Sequence, residues 1–215
     1  MDLEGVSYTD ISPEISEALA VFPGDVKYKR DRSYDVDKGD HMTLSSVETT
    51  LHIGAHADGP IHYRKGEEGI GERSLDYYMG PCQVVDLSSV LVKGSKIVGE
   101  DFKDFPFETS RILIKTDSYD HNKWSDDFAS LSRTALKVLI EKGVKLVGID
   151  TPSIDQADSK DLECHNIVAD NNMAVLEGLN LRDVSEGKYQ LIALPLRIKN
   201  GDASPVRAIL IPYGY

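Results

Sequence analysis

The sequence predicts an α/β fold, a single domain built on a mixed β-sheet or barrel-like core with flanking helices. Three observations predict it. Short segments rich in β-branched and aromatic residues recur along the 215-residue chain, and one segment between two of them has helical spacing. In addition, no repeat, low-complexity tract or linker divides residues 1–215.

Strands are expected at residues 42–51, 82–87, 111–115, 145–149, 189–198 and 206–211. A helix is expected over residues 130–142, where Leu131, Ala135, Val138, Leu139 and Lys142 recur at helical spacing. Serines stand at its start and Gly143 just past its end, the residue that best tolerates the left-handed turn closing a helix. This helix lies between two predicted strands, so residues 111–149 read as a β-α-β crossover with a parallel strand pair. Residues 153–172 are polar, with a short helix expected from about Ser159 through His165. Loops of this length in compact domains are often functional.

The formal charge of −12 argues against a nucleic-acid partner, because phosphate-backbone binding draws on clustered Lys and Arg. Cys82 and Cys164 form no C-x-x-C pair, so neither a disulfide framework nor a zinc knuckle is indicated. Met1 to Glu4 are acidic rather than basic-then-apolar, and no run approaches the ~18 apolar residues of a membrane span. A soluble, cytoplasmic protein is the expectation.

Chemistry concentrates at residues 52–62, where three of the six histidines, His52, His56 and His62, stand at even spacing with Asp58. Imidazole nitrogen and carboxylate oxygen are ligands that Zn²⁺ and similar ions take at about 2.0–2.2 Å. In a straight strand His52 and His56 would lie roughly 13 Å apart at about 3.3 Å per residue, so sharing an ion requires the chain to bend. Gly54 and the pair Gly59–Pro60 are the expected bends. Ile53 stands where His-Glu-x-x-His would need its glutamate, which excludes the helical zinc-protease signature. Further along, His165 is a candidate ligand, and Glu177 sits in an apolar stretch where an unpartnered carboxylate costs several kcal/mol. Read alone, His165 is better taken as a solvent-facing helical histidine and Glu177 as a capping or surface carboxylate.

The run from His52 to His62 resembles the motif His-x-Gly-Thr-His-x-Asp-x-Pro-x-His of the cyclase family of metal-dependent hydrolases, and most closely its bacterial arylformamidase (kynurenine formamidase) branch. Supporting likeness runs through Asp10–Ser12, Phe22–Asp25, Gly148–Ser153, Leu191–Leu196 and Ala203–Ala208, covering nearly the whole chain. The resemblance implies the cyclase-like swivelling β/β/α fold and a homo-oligomer, a dimer. It implies two divalent ions, zinc first and manganese or iron(II) also compatible. His52, His56 and Asp58 would bind one, Asp58 would bridge to a second held by His165, and Glu177 would bridge both. His62 becomes the acid/base of catalysis, and Phe22 occupies the place of a tryptophan that stacks on the substrate ring. Ala55 replaces a threonine.

The implied activity is hydrolysis of N-formyl-L-kynurenine to L-kynurenine and formate, a step of tryptophan degradation, by water activated between two metals. Two alternatives stay open: ring-opening of a cyclic amide or lactone such as isatin, and a non-catalytic metal- or small-molecule-binding protein. Tyr77, Tyr78 and the tail at residues 211–215 are candidates for a subunit interface or for ordinary packing. Trp124, His41 and His121 carry no assignment.

Overall fold

The computed structural model describes residues 5 and 7–213. The acidic start Met1 to Glu4, Val6, and Gly214 and Tyr215 of the tail lie outside the described residues. Thirteen strands are present among those described: β1 Thr9–Asp10, β2 Lys29–Tyr34, β3 Leu44–Glu48, β4 His56–Asp58, β5 Met79–Asp86, β6 Lys96–Ile97, β7 Arg111–Lys115, β8 Ser130–Leu131, β9 Leu146–Ile149, β10 Ala174–Glu177, β11 Gly187–Ile192, β12 Ala203–Pro205 and β13 Ile209–Pro212. Helix α1 spans Arg133–Glu141 and α2 spans Glu163–Asp170. No helix among the described residues is long and apolar enough to cross a membrane.

Nine strands form one mixed sheet in the order β1-β13-β11-β5-β7-β9-β10-β4-β12, with the centre from β5 to β10 parallel and the flanks antiparallel. Side chains alternate between its faces with the two-residue period of a strand. On β7, Leu113 enters one apolar core while Ile112 and Ile114 enter the other, which α1 and α2 cover with Leu136, Leu139 and Val168. Each such side chain, fully buried, contributes about 1.5–3 kcal/mol. The first core holds Leu210 from one end of the strand order together with Ala57 from the other, so the sheet curls until its edges share one interior.

The crossover holds as expected, β7 and β9 pairing in parallel with α1 between them, but the helix begins at Arg133 and not at residue 130, because Ser130 and Leu131 pair with β6 as β8. The Ser132 side chain accepts from the Ala135 N–H, and Gly143 takes a left-handed φ of 74°.

Three expectations are corrected. The strand expected at residues 42–51 is β3, but it pairs only with β2 in a ribbon whose residues are all exposed, so it is no part of the core. The strand expected at 189–198 ends at Ile192; Ala193 still bonds the Tyr78 carbonyl, and the chain from Leu194 leaves the ladder. The second helix runs Glu163–Asp170 rather than starting at Ser159: Asp155 accepts from the Cys164 and His165 N–H groups and fixes the start there. Tyr78 is fully buried and packs in the core; its neighbour Tyr77 packs against that core beneath the Arg73 guanidinium.

Candidate metal centre and its cavity

The bend anticipated at Gly54 is present, with φ at 59°, the left-handed region that favours glycine. It folds His52 back over β4, leaving the His52 and His56 ring centroids 5.1 Å apart. His56 and Asp58, two residues apart on β4, share a face, while Ala57 between them joins the core. Antiparallel pairing sets Glu177 of β10 directly opposite His56. A second glycine secures this junction: a Cβ on Gly178, at φ 64°, would lie 2.2 Å from the Gly54 carbonyl oxygen. His165 reaches the same point from the first turn of α2.

The inward-facing atoms converge. His52 Nδ1 lies 3.2 Å from Asp58 Oδ1, His56 Nε2 lies 3.5 Å from the same oxygen and 3.3 Å from Glu177 Oε2. On the other side, His165 Nε2 lies 3.3 Å from both Asp58 Oδ2 and Glu177 Oε1. Each carboxylate therefore turns one oxygen toward His56 and the other toward His165. These separations exceed the 2.7–2.9 Å of a charge-assisted hydrogen bond. They match the edge of a tetrahedron of ligands around an ion at about 2.1 Å, which is about 3.4 Å.

Behind the cluster each imidazole is oriented by an acceptor. His56 Nδ1 stands 2.9 Å from the Gly54 carbonyl, which can only accept, so the ring donates there and its Nε2 lone pair points inward. His165 Nδ1 donates to Asp155 at 2.7 Å, and His52 Nε2 to Asp202 at 3.0 Å. His56 Nε2, His165 Nε2 and both Asp58 oxygens are buried without a hydrogen-bond partner. Such buried polar atoms are costly unless something satisfies them, and inward lone pairs facing carboxylates are satisfied by a cation. The donor set fits a divalent metal, and two triads qualify: His52, His56, Asp58 and Asp58, His165, Glu177.

The protonation balance carries the same sign. Burial favours neutral groups throughout, yet the imidazoles of His165 and His52 beside it leave Asp58 well below the usual carboxylate range. Burial likewise lowers His165, but Asp155, Asp58 and Glu177 outweigh it and raise it well above 6.5; His52 is pushed up to about 9, chiefly by Asp58 against burial. The negative potential that holds these protons also favours a divalent ion.

His62 closes a 3₁₀ turn, Pro60–His62, begun by the expected Gly59–Pro60 break. Its ring lies 4.3 Å from that of His52 and 6.4 Å from that of His165. Burial, opposed by Asp58, lowers its pKa from 6.5, leaving a neutral imidazole at neutral pH. His62 also comes within 4.8 Å of donors on His52 and Asp202, a third grouping in which it would be a ligand.

His52, His56, His62, His165, Glu177 and Asp202 line a cavity of about 360 Å³ together with Phe22, Tyr119, His121 and Trp124. Phe22, the expected ring-stacking residue, is among the residues lining this cavity. Ala55, by contrast, points into the apolar core on the far side of the strand, away from the cluster. Asp155, Asp202, His121 and Trp124 are the cavity and cluster residues that sequence reasoning left unassigned. No spacing flags them, since Asp202 lies 150 positions from the histidine it orients.

The sequence profile of the cyclase family matches residues 9–156. The chain is 42% identical over 207 residues to the kynurenine formamidase of Bordetella petrii, covering 95% of this chain and 98% of that protein. It is 39% identical over 202 residues to the kynurenine formamidase of Delftia acidovorans, covering 94% and 95%. Among solved structures, a potential metal-dependent hydrolase with cyclase activity superposes with a TM-score of 0.83 at 24% identity, covering 98% of this chain and all of that one. Isatin hydrolase A from Labrenzia aggregata superposes at 0.81 with 20% identity, covering 97% and 94%. The chain belongs to the cyclase family, and its curled mixed sheet is the fold of that family.

Proposed function

We propose that this chain is a metal-dependent amidohydrolase that converts N-formyl-L-kynurenine to L-kynurenine and formate, a step of tryptophan degradation. The observation that carries the reading is the convergence of His52, His56, Asp58, His165 and Glu177 on one point at the cavity floor, with relatives of that name at about 40% identity in support. Two ions fit the arrangement, because Asp58 and Glu177 each present one oxygen to either side. Zinc is the first choice for nitrogen and oxygen donors without thiolate, with manganese next.

When bound there, a divalent ion supplies Lewis acidity, lowering the pKa of water and polarising a carbonyl oxygen. The chain's own residues do the rest. His62, neutral and in no ion pair among the described residues, takes a proton from the attacking water as its oxygen bonds to the formyl carbon. The same imidazole then delivers that proton to the departing nitrogen as the C–N bond breaks, leaving formate and a free amine. Asp155 and Asp202 keep His165 and His52 in the tautomer that points a lone pair inward. We place the protein in the cytoplasm as a homodimer whose residues 1–215 fold as one domain.

Formate release from N-formyl-L-kynurenine, measured beside elemental analysis and with isatin as a parallel substrate, tests the reading. Turnover of the formamide with bound divalent metal is expected; preferential turnover of isatin, or no metal in active protein, overturns it.

A further inference from the structure

His62 differs from the histidines of the cluster in how it is held. His52, His56 and His165 each have an acceptor behind the ring. The His62 imidazole has no such partner among the described residues, so its place is set by ring packing and by the backbone it stands on. That backbone is a closed turn. The N–H groups of His62, Tyr63 and Arg64 donate to the Gly59 and Pro60 carbonyls at 2.9, 3.2 and 2.9 Å, which ties residues 59–64 into one piece.

Arg64 ends this turn and reaches across 102 positions of sequence to α2. Its Nε donates to Asn166 Oδ1 at 3.2 Å, and its Nη2 donates to the Asn166 carbonyl at 3.3 Å and to Asp170 Oδ1 at 2.6 Å. Asn166 is turned to meet it: the amide Nδ2 donates to the Asp161 and Leu162 carbonyls, which leaves Oδ1 to accept. Asn166 also follows His165, whose ring and N–H Asp155 fixes. One guanidinium thus joins the turn that carries His62 to the residue beside a candidate ligand.

The two halves of this contact differ in weight. Asp170 is 60% exposed, and an ion pair in that setting contributes about 0–1 kcal/mol. The fork onto Asn166 is the directional half, because a planar guanidinium presents its donors at fixed angles that an ammonium cannot reproduce. Arg64 is not among the residues lining the cavity, so any influence on the reaction passes through His62.

We propose that Arg64 is a positioning residue for His62: its fork onto Asn166 sets the 6.4 Å separation of the His62 and His165 rings and so aims the proton-transferring imidazole at the cluster. This rests on the role of His62 in the proposed hydrolysis. An acid/base group must come within about 2.6–3.2 Å of the atom whose proton it moves, and a misplacement of about 1 Å can cost on the order of 10²-fold.

In Arg64→Ala, kcat for N-formyl-L-kynurenine is expected to fall about tenfold, with KM and bound metal within about twofold of the unmodified protein. Arg64→Lys keeps the charge and the stem, yet it should show most of the same fall, because its ammonium reaches Asp170 without forking onto Asn166. Asp170→Ala should cost less than about twofold. Full activity in either Arg64 variant, or a fall in kcat that tracks loss of metal, overturns the proposal. A loss in Asp170→Ala as large as that in Arg64→Ala assigns the effect to the ion pair and overturns it too. A crystal structure of Arg64→Ala gives a reading that needs no turnover. The His62 ring is expected to leave its place, and a ring still 6.4 Å from that of His165 overturns the proposal. If the unmodified protein cleaves no formamide, the proposed activity fails while that crystal structure still decides what Arg64 holds.

Discussion

The floor and the mouth of the cavity are built by opposite rules. At the floor His56, Asp58, His165 and Glu177 are each no more than 3% exposed, and backbone or carboxylate acceptors fix the histidine rings from behind. Strand pairing places His56 opposite Glu177, and a glycine-to-glycine contact locks that register. At the other end Phe22 is half exposed, and the separate β2–β3 ribbon buries none of its side chains. A buried cluster of polar atoms tolerates no looseness, since each unsatisfied group costs about 1–3 kcal/mol. An aromatic wall tolerates substitution, because dispersion and stacking are weakly directional. Chemistry is thus fixed at one end, and substrate identity is adjustable at the other.

Changes at the floor should break function outright. Asp58→Asn withdraws the charge shared by both triads, and elemental analysis should find neither ion retained and formate release abolished. His62→Ala should lower kcat by about 10²–10⁴-fold with metal content preserved. Loss of metal from that variant would instead make His62 a ligand beside His52 and Asp202. In the unmodified protein kcat/KM should decline as acid protonates His62. The midpoint should lie below 6.5, because burial disfavours the imidazolium and the neutral form is the one that accepts a proton.

Residues one layer out should sharpen the contrast. Asp155→Ala removes the acceptor that fixes His165 and should weaken metal binding about 10–100-fold in chelator competition. Asp202→Ala should cost less, since that carboxylate is half exposed and water can replace it. The smallest effect belongs to the mouth: Phe22→Leu should leave metal content and melting temperature unchanged and raise KM only severalfold. A variant of Phe22 that lost metal would erase the distinction between the two ends.

Legibility in the sequence followed the length scale of each feature. The run His52 to His62 was readable because its ligands lie within one bend, and the expected breaks at Gly54 and Gly59–Pro60 are where the chain turns. The α1 crossover was readable for the same local reason. The strand at residues 42–51 was expected to join the main sheet and instead pairs with β2, which was not anticipated, because alternation in sequence records a pleat but not what covers it. The start of α2 was misplaced because its cap, Asp155, lies eight residues before Glu163 and reaches it only through the fold.

The sequence by itself determined the donor chemistry, nitrogen and oxygen without thiolate, and the bends that gather the first half of the cluster. Those depend on side-chain type and on backbone freedom at particular positions, both of which are local properties. Tertiary structure alone decided that Glu177 faces His56 across a strand pair, that Asp202 orients a histidine 150 residues away, and that Trp124 braces Phe22. These depend on the register of strands distant in the chain, which only the closing of the sheet around a common core can set.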